Sequence, residues 1–356
     1  MLKKYLNINI WLFLSLMTFQ GLVARGPTSD KTDDLIIYPP PPDSTRIQFL
    51  TSFSTSTDIT GKRSGILRYI LGEEASRPIF KPYGIASSQG KIYICDTQLG
   101  GLEIIDLQNK EFEYFQPTGR GQIFKPINCA VDDKGYLYIA DTQRNQVIIF
   151  DNQLNYFSSI GDPKEFKPTD VTYQDGKIWV CNLKAKQIQV FSETSQNLLQ
   201  SFPSTTPADP DYLFSPTNIY VTDQKVYVSD FGDFKIKIFS HDGLFEKAIG
   251  SYGQSPGQFV RPKGIAVDRN KYLYVADAGF ENVQMFDDQG QLLLFFGGNY
   301  KGPGDMWLPA KVALDYDNLA FFQRYVDRSF ELKYLIYVTN QFGPDKINVY
   351  GFVEYR

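Results

Sequence analysis

The chain has one histidine, His241, among its 356 residues. A single imidazole cannot build a poly-histidine metal site, and it leaves little room for a Ser-His-Asp or Cys-His relay. Cysteine is also scarce, at three residues, Cys95, Cys129 and Cys181. No Cys-x-x-Cys-His occurs, so no covalently attached haem is expected. Neither sign of charge dominates: 36 basic and 40 acidic residues leave a net charge of −4. That excludes a protein built mainly to neutralise nucleic-acid phosphates. After the first two dozen residues no stretch is apolar enough to span a membrane.

Residues 1–24 read as an export signal. Lys3 and Lys4 precede a short apolar run from Ile8 to Phe19, and Gly21 and Ala24 are small enough to flank a cleavage site. The mature chain is thus expected outside the cytoplasm, in a periplasm or beyond. Residues 25–45 contain Tyr38 and four consecutive prolines and are expected to form a stiff linker. The propeller domain argued below is assigned to 46–356.

What the chain has in quantity is aromatic residues, 23 Tyr and 28 Phe, and a repeat. An aromatic, one or two residues and a proline recur as Phe80-Lys-Pro82, Phe124-Lys-Pro126, Phe166-Lys-Pro168, Phe214-Ser-Pro216, Phe259-Val-Arg-Pro262 and Trp307-Leu-Pro309. The spacings between the prolines are 44, 42, 48, 46 and 47 residues. A second phrase follows each: 92–96, 137–141, 178–182, 226–230, 273–277 and 336–340, as in Leu-Tyr-Val-Ala-Asp. A third closes the unit at 102–106, 147–151, 188–192, 236–240, 283–287 and 347–351. All alternate with period two, which predicts strands. A weaker fourth strand follows, as at 156–160 and 292–296.

Four short strands per roughly 45 residues, repeated radially, predict an all-β fold, a six-bladed β-propeller. A solenoid would need polar end caps, and no end repeat is polar. After the third strand of the last repeat too little chain is left for a fourth. Ile47–Phe53 resembles the fourth strands, so an N-terminal strand is expected to complete the last blade and abolish the open edge.

The opening at 259–268, the Tyr-Val-Ala-Asp phrase and the aliphatic-x-x-Phe-Asp ending resemble NHL repeats, over about 80–350. With its proline-rich head, the chain resembles exported bacterial six-bladed NHL proteins. That resemblance implies a protein partner in the cell envelope, with a cytochrome system as one candidate.

The repeats sort the candidate sites. Cys95 and Cys181 occupy a slot held elsewhere by Ala140, Ser229, Ala276 and Thr339, and Cys129 an aliphatic slot, so all three are expected as buried thiols. The Asp or Asn ending every second strand recurs six times and suits turn formation better than catalysis. The residue two after each proline varies: Gly84, Asn128, Asp170, Asn218, Gly264, Lys311. These are expected near the mouth of the central channel. Asn128, Asp170 and Asn218 offer oxygens that either bulk water or a hard cation such as calcium would use. With Lys263 and Lys311 they form the expected ligand site. Lys81, Lys125, Lys167 and Arg261 are expected as a basic rim on the same face, open to an anion or acidic partner.

Two irregular segments complete the reading. Residues 65–71 are expected as a short helix, and Leu319, Phe322, Val326 and Phe330 show roughly helical spacing within an insertion at 318–333. The favoured function is a non-enzymatic exported binding or scaffold module with no required cofactor. The alternative is a calcium-dependent hydrolase or lactonase of the gluconolactonase-like propeller class. Amidating-lyase propellers, which resemble NHL repeats, need histidine-bound zinc, and RNA-binding NHL domains sit poorly with an export signal.

Overall fold

The computed structural model describes residues 35–61 and 75–356. The export segment 1–24, the first part of the linker and the helix expected at 65–71 lie outside the described residues. Among the described residues no helix is long and apolar enough to cross a membrane.

Six antiparallel sheets make six blades, each running through its strands in order from the inside outward. Blade 1 is Pro82–Ser88, Lys91–Asp96, Gly101–Asp106 and Glu111–Phe115, and blades 2 to 5 repeat it to Gly297. The first strands of successive blades touch around the whole ring, including Pro309–Asp315 of blade 6 against Pro82–Ser88 of blade 1. The repeated phrases 92–96 and 137–141 are strands to within a residue.

Both parities of the second strand are apolar because each blade packs on two neighbours. In blade 1, Ile92 and Ile94 join a cluster with blade 6, while Tyr93 and Cys95 join one with blade 2. Six such clusters fill the six blade interfaces, so the core is a ring of slabs. The slot of Cys95 and Cys181 is fully buried, and all three cysteines are free buried thiols.

The ring closes as expected. Ile47–Phe53 pairs antiparallel with Ile347–Tyr355, from Ile47 opposite Phe352 to Phe53 opposite Ile347. A bulge between Phe49 and Thr51 changes the parity of the strand. Ile47 and Phe49 therefore face blade 5, and Leu50 and Phe53 face blade 1.

Two expectations about this region change. The proline-rich head is not a free spacer from Leu35 onward: Ile37–Tyr38 forms a fifth strand on Ile47–Phe53, and Tyr38 packs on Phe296. The insertion is helical only at Leu319–Phe322, followed by a 3-10 turn over Gln323–Tyr325, and Phe330 already begins the strand Phe330–Asn340. Phe322 and Phe330 are buried against blade 6, which is why their spacing looked helical. The insertion also grips the closing strand. The Gln48 amide donates to the Tyr325 carbonyl (2.9 Å), and its oxygen accepts the Asp327 amide (3.1 Å).

One buried carboxyl breaks the pattern. The second residue of the third repeated phrase is Ile148, Gln189, Lys237, Gln284 or Asn348 in the other blades, and Glu103 in blade 1. Glu103 is fully buried and neither oxygen has a partner. Burial, then the neighbouring Asp96 carboxylate, push it up to about 10. Folding thus takes up a proton across the range from the ordinary carboxyl value to about pH 10, and stability falls as pH rises through it. Glu103→Gln should raise the melting temperature by roughly a few degrees at pH 8 and by almost nothing at pH 4, where the acid is neutral folded or unfolded. An equal gain at both pH values would contradict this.

Candidate functional site

The strand directions define two faces. One carries the Phe-x-Pro loops and the turns after the second strands; the other carries the turns between first and second strands. On the Phe-x-Pro face the recurring Asp and Asn are clamps. Asp96 accepts the amides of Phe80 (2.8 Å) and Lys81 (2.6 Å) through Oδ2 and those of Gln98 and Leu99 (2.8 Å each) through Oδ1. Asp277 accepts the Val260 amide through Oδ2 and the amides of Arg261, Gly279 and Phe280 through Oδ1. In Asn182 one oxygen serves Lys167, Lys184 and Ala185. The clamps of Asp96, Asp141, Asn182 and Asp277 tie the loop entering a blade to the turn after its second strand, and Asp230 holds the entering loop alone, which explains the recurrence without chemistry.

The expected channel-mouth residues are brought together, but below the surface. Asn128, Asp170 and Asn218 are fully buried. Lys311 Nζ, from blade 6, lies 2.6 Å from Asp170 Oδ2, in the opposite blade 3, and so bars the axis. The same oxygen accepts Asn218 Nδ2 and the Ile219 amide (3.1 Å each), while Asp170 Oδ1 accepts the Val171 amide (2.9 Å). Asn128 Nδ2 donates to the Thr169 carbonyl (2.8 Å). The Oδ1 atoms of Asn128 and Asn218 have no protein partner.

The glycines in this register show how tight the axis is. A Cβ on Gly84 would lie 2.5 Å from Asn128 Cα, and one on Gly264 would lie 2.4 Å from Lys311 Cα. Adjacent first strands approach so closely that two of the six positions admit no side chain. Variation two residues after the proline therefore reflects the packing of the axis, not freedom from the repeat.

Above this plug Lys263 lies with Nζ 5.0 Å from the ring centre of Tyr83, which belongs to blade 1. Burial first, then the charges of Arg261 and Lys81, lower Lys263 to about 8. The Tyr83 hydroxyl is pushed up to about 12 by burial and by Asp170. Of the basic rim, Lys125, Lys167 and Arg261 are exposed, and Lys81 lies with Nζ 4.9 Å from the Phe342 ring centre.

Aromatic side chains missed as surface features accompany them. Phe124, Phe214, Trp307 and Phe342 are 44%, 37%, 48% and 44% exposed. The residue three before the proline does the packing instead: Ile79, Ile123, Leu213, Phe259 and Met306 are buried. Blade 3 is the exception, where Phe166, two before the proline, is the buried one. The aromatic phrase thus mixes two registers, and aligning on proline separates them. Sequence reading also missed Lys237, a buried lysine 3.1 Å from Asp230 and 2.9 Å from Asp233.

A cleft lies on the other face. A groove of about 990 Å³ runs between blades 4 and 5, lined by Tyr220, Lys225, Glu246, Arg269, Asp288 and Tyr316 among others. At the Phe-x-Pro mouth, where the ligand site was expected, the Lys311–Asp170 pair bars the axis below the surface. At the axial end of the groove Arg269 stacks on Tyr316 (4.0 Å), and Asp268 accepts the Tyr334 hydroxyl (2.7 Å). Burial raises Asp268 against the lowering effect of that bond.

A family model described as a 6-bladed beta-propeller, DUF5128, matches residues 208–354. The chain is a six-bladed β-propeller. No curated protein matches it by sequence. Solved structures similar to this propeller include a structural genomics protein of unknown function from Bacteroides thetaiotaomicron (15% identity, TM-score 0.58, covering 87% of this chain and 76% of that one). A gluconolactonase from Xanthomonas campestris is also similar (15%, 0.55, 88% and 91%). So is virginiamycin B lyase from Staphylococcus aureus (15%, 0.52, 76% and 80%). At these identities the likeness is one of fold.

The axial ion pair is the testable feature of this propeller. Lys311→Met leaves Asp170 charged and buried, and should reduce the unfolding free energy in urea by ~3–5 kcal/mol. Lys311→Met with Asp170→Asn should recover most of that loss. Equal losses in the single and double variants would contradict the pairing.

Proposed function

We propose that this propeller is a non-enzymatic binding module of an exported protein, working in the periplasm or outside the cell, and that it docks an acidic protein partner of the cell envelope on its Phe-x-Pro face. The observation that carries the reading is the coexistence on one face of exposed Phe124, Phe214, Trp307 and Phe342 with Lys81, Lys125, Lys167 and Arg261. Exposed aromatics ringed by cations are the composition of a protein-binding surface, with the charges steering an acidic partner into place. An NHL-type repeat, as the sequence resemblance implies, fits a module of this kind.

The lactonase alternative asks more of the axis. A calcium site there needs the Asp170 carboxylate, whose oxygens already accept Lys311, Asn218 and two backbone amides. Among the described residues no group of three or more histidine, cysteine, aspartate or glutamate side chains is placed to hold a metal ion. The gluconolactonase from Xanthomonas campestris shares the fold, and that likeness alone does not carry its chemistry to this chain.

Site-specific photo-cross-linking in the native envelope tests the docking face. A photoreactive residue at Phe124, Phe214 or Trp307 should give one discrete protein adduct, abolished by Lys125→Glu with Lys167→Glu. The same residue at Gln289, on the opposite face, should give none. No adduct from either face, or equal adducts from both, would overturn the reading.

A further inference from the structure

We propose that the axial end of the Phe-x-Pro face holds a seat for an oxyanion, a carboxylate, sulfate or phosphate group, held between Lys263, Lys81 and Arg261. Its occupant would be the partner's carboxylate or a free anion, so the first source rests on the docking reading above.

The argument starts from where the local carboxylates are spent. Asp96 and Asp277 lie nearest the Lys81 and Arg261 backbones, and their oxygens are occupied by backbone amides. Asp170 is taken by Lys311. Among the described residues no carboxylate oxygen lies within 4.0 Å of the side-chain nitrogens of Lys263, Lys81 or Arg261. Two lysines thus project from neighbouring first strands toward the axis: Lys311 is neutralised and Lys263 is not.

Lys263 is also held in place. It leaves blade 5 and reaches the ring of Tyr83 in blade 1, across the first strand of blade 6. Tyr83 is itself fixed, because Thr339 Oγ1 donates to its carbonyl (2.6 Å). The ammonium is therefore partly desolvated on an aromatic wall, with a second lysine and an arginine close enough to lower its proton affinity. Such an arrangement stores repulsion that an anion would relieve. A half-buried ammonium held over the Tyr83 ring, flanked by two further cations and with no carboxylate partner among the described residues, is the complement of a group with several oxygens.

The test uses the whole chain and sodium sulfate against sodium chloride at matched ionic strength. Lysines are labelled by reductive ¹³C-methylation, and the Lys263 signal is identified by its loss in Lys263→Met. Sulfate should raise the Lys263 titration midpoint by roughly one pH unit. It should also raise the melting temperature of the native chain more than that of Lys263→Met. That variant removes a repelled charge and is expected to fold. A peptide with two adjacent glutamates that shifts the midpoint at tenfold lower concentration than sulfate would assign the seat to a partner's carboxylate; equal or weaker action would assign it to a free oxyanion. A midpoint unmoved by both ligands overturns the seat. If face-specific cross-linking persists beside that result, the docking face stands without it.

Discussion

Pairing of the 47–53 strand with the 347–355 strand is the constraint on which everything else rests. Five blades are made from consecutive chain, but the sixth would end with an unpaired edge after its third strand. The closing strand supplies both hydrogen bonds and side chains. Its bulge at Phe49–Thr51 lets one strand face two interfaces, with Ile47 toward blade 5 and Leu50 and Phe53 toward blade 1. Because the core is a ring of six slabs, loosening one slab loosens its neighbours. The Gln48 bonds to the insertion, and the extra strand at Ile37–Tyr38, add restraint at that seam.

Closure also dictates what the axis can be. Six first strands drawn to one centre leave so little room that Gly84 and Gly264 are obligatory, and the remaining positions bury their polar side chains against each other. A lysine and an aspartate from opposite blades meet there because a charge of either sign alone would be costly. The plug directs any function away from the channel and onto the surfaces around it. The two faces then differ in kind. The Phe-x-Pro face carries exposed rings together with Lys125, Lys167 and Arg261, which pair with no carboxylate among the described residues, while the groove on the other face mixes signs, with Lys225 paired to Glu246 at 2.7 Å.

The architecture was legible in the sequence because it is local and repeated. Strands at 137–141 or 273–277 announce themselves six times over, and the missing last strand follows from counting. The clamping role of Asp96, Asp141 and Asp230 was legible for the same reason. The axis was legible only in part. That Asn128, Asp170, Asn218 and Lys311 would gather followed from the register. That Lys311 would pair with Asp170, 141 residues away, did not, because no periodic signal records a contact across the ring. The insertion misled through its burial: Phe322 and Phe330 share a core while belonging to a helix and a strand. The exposed aromatics were hidden by a phrase that merges two registers, of which the one three residues before the proline packs.

Native-state hydrogen exchange tests the central claim most directly. If the closing pair governs the ring, amides of Ile47–Phe53 and Ile347–Tyr355 should open only with global unfolding, at the same free energy as the second strand of blade 3, Lys177–Asn182. Exchange of the 47–53 amides through a sub-global opening, with the blade 3 amides still protected, would show that the ring holds without its clasp and would contradict the account.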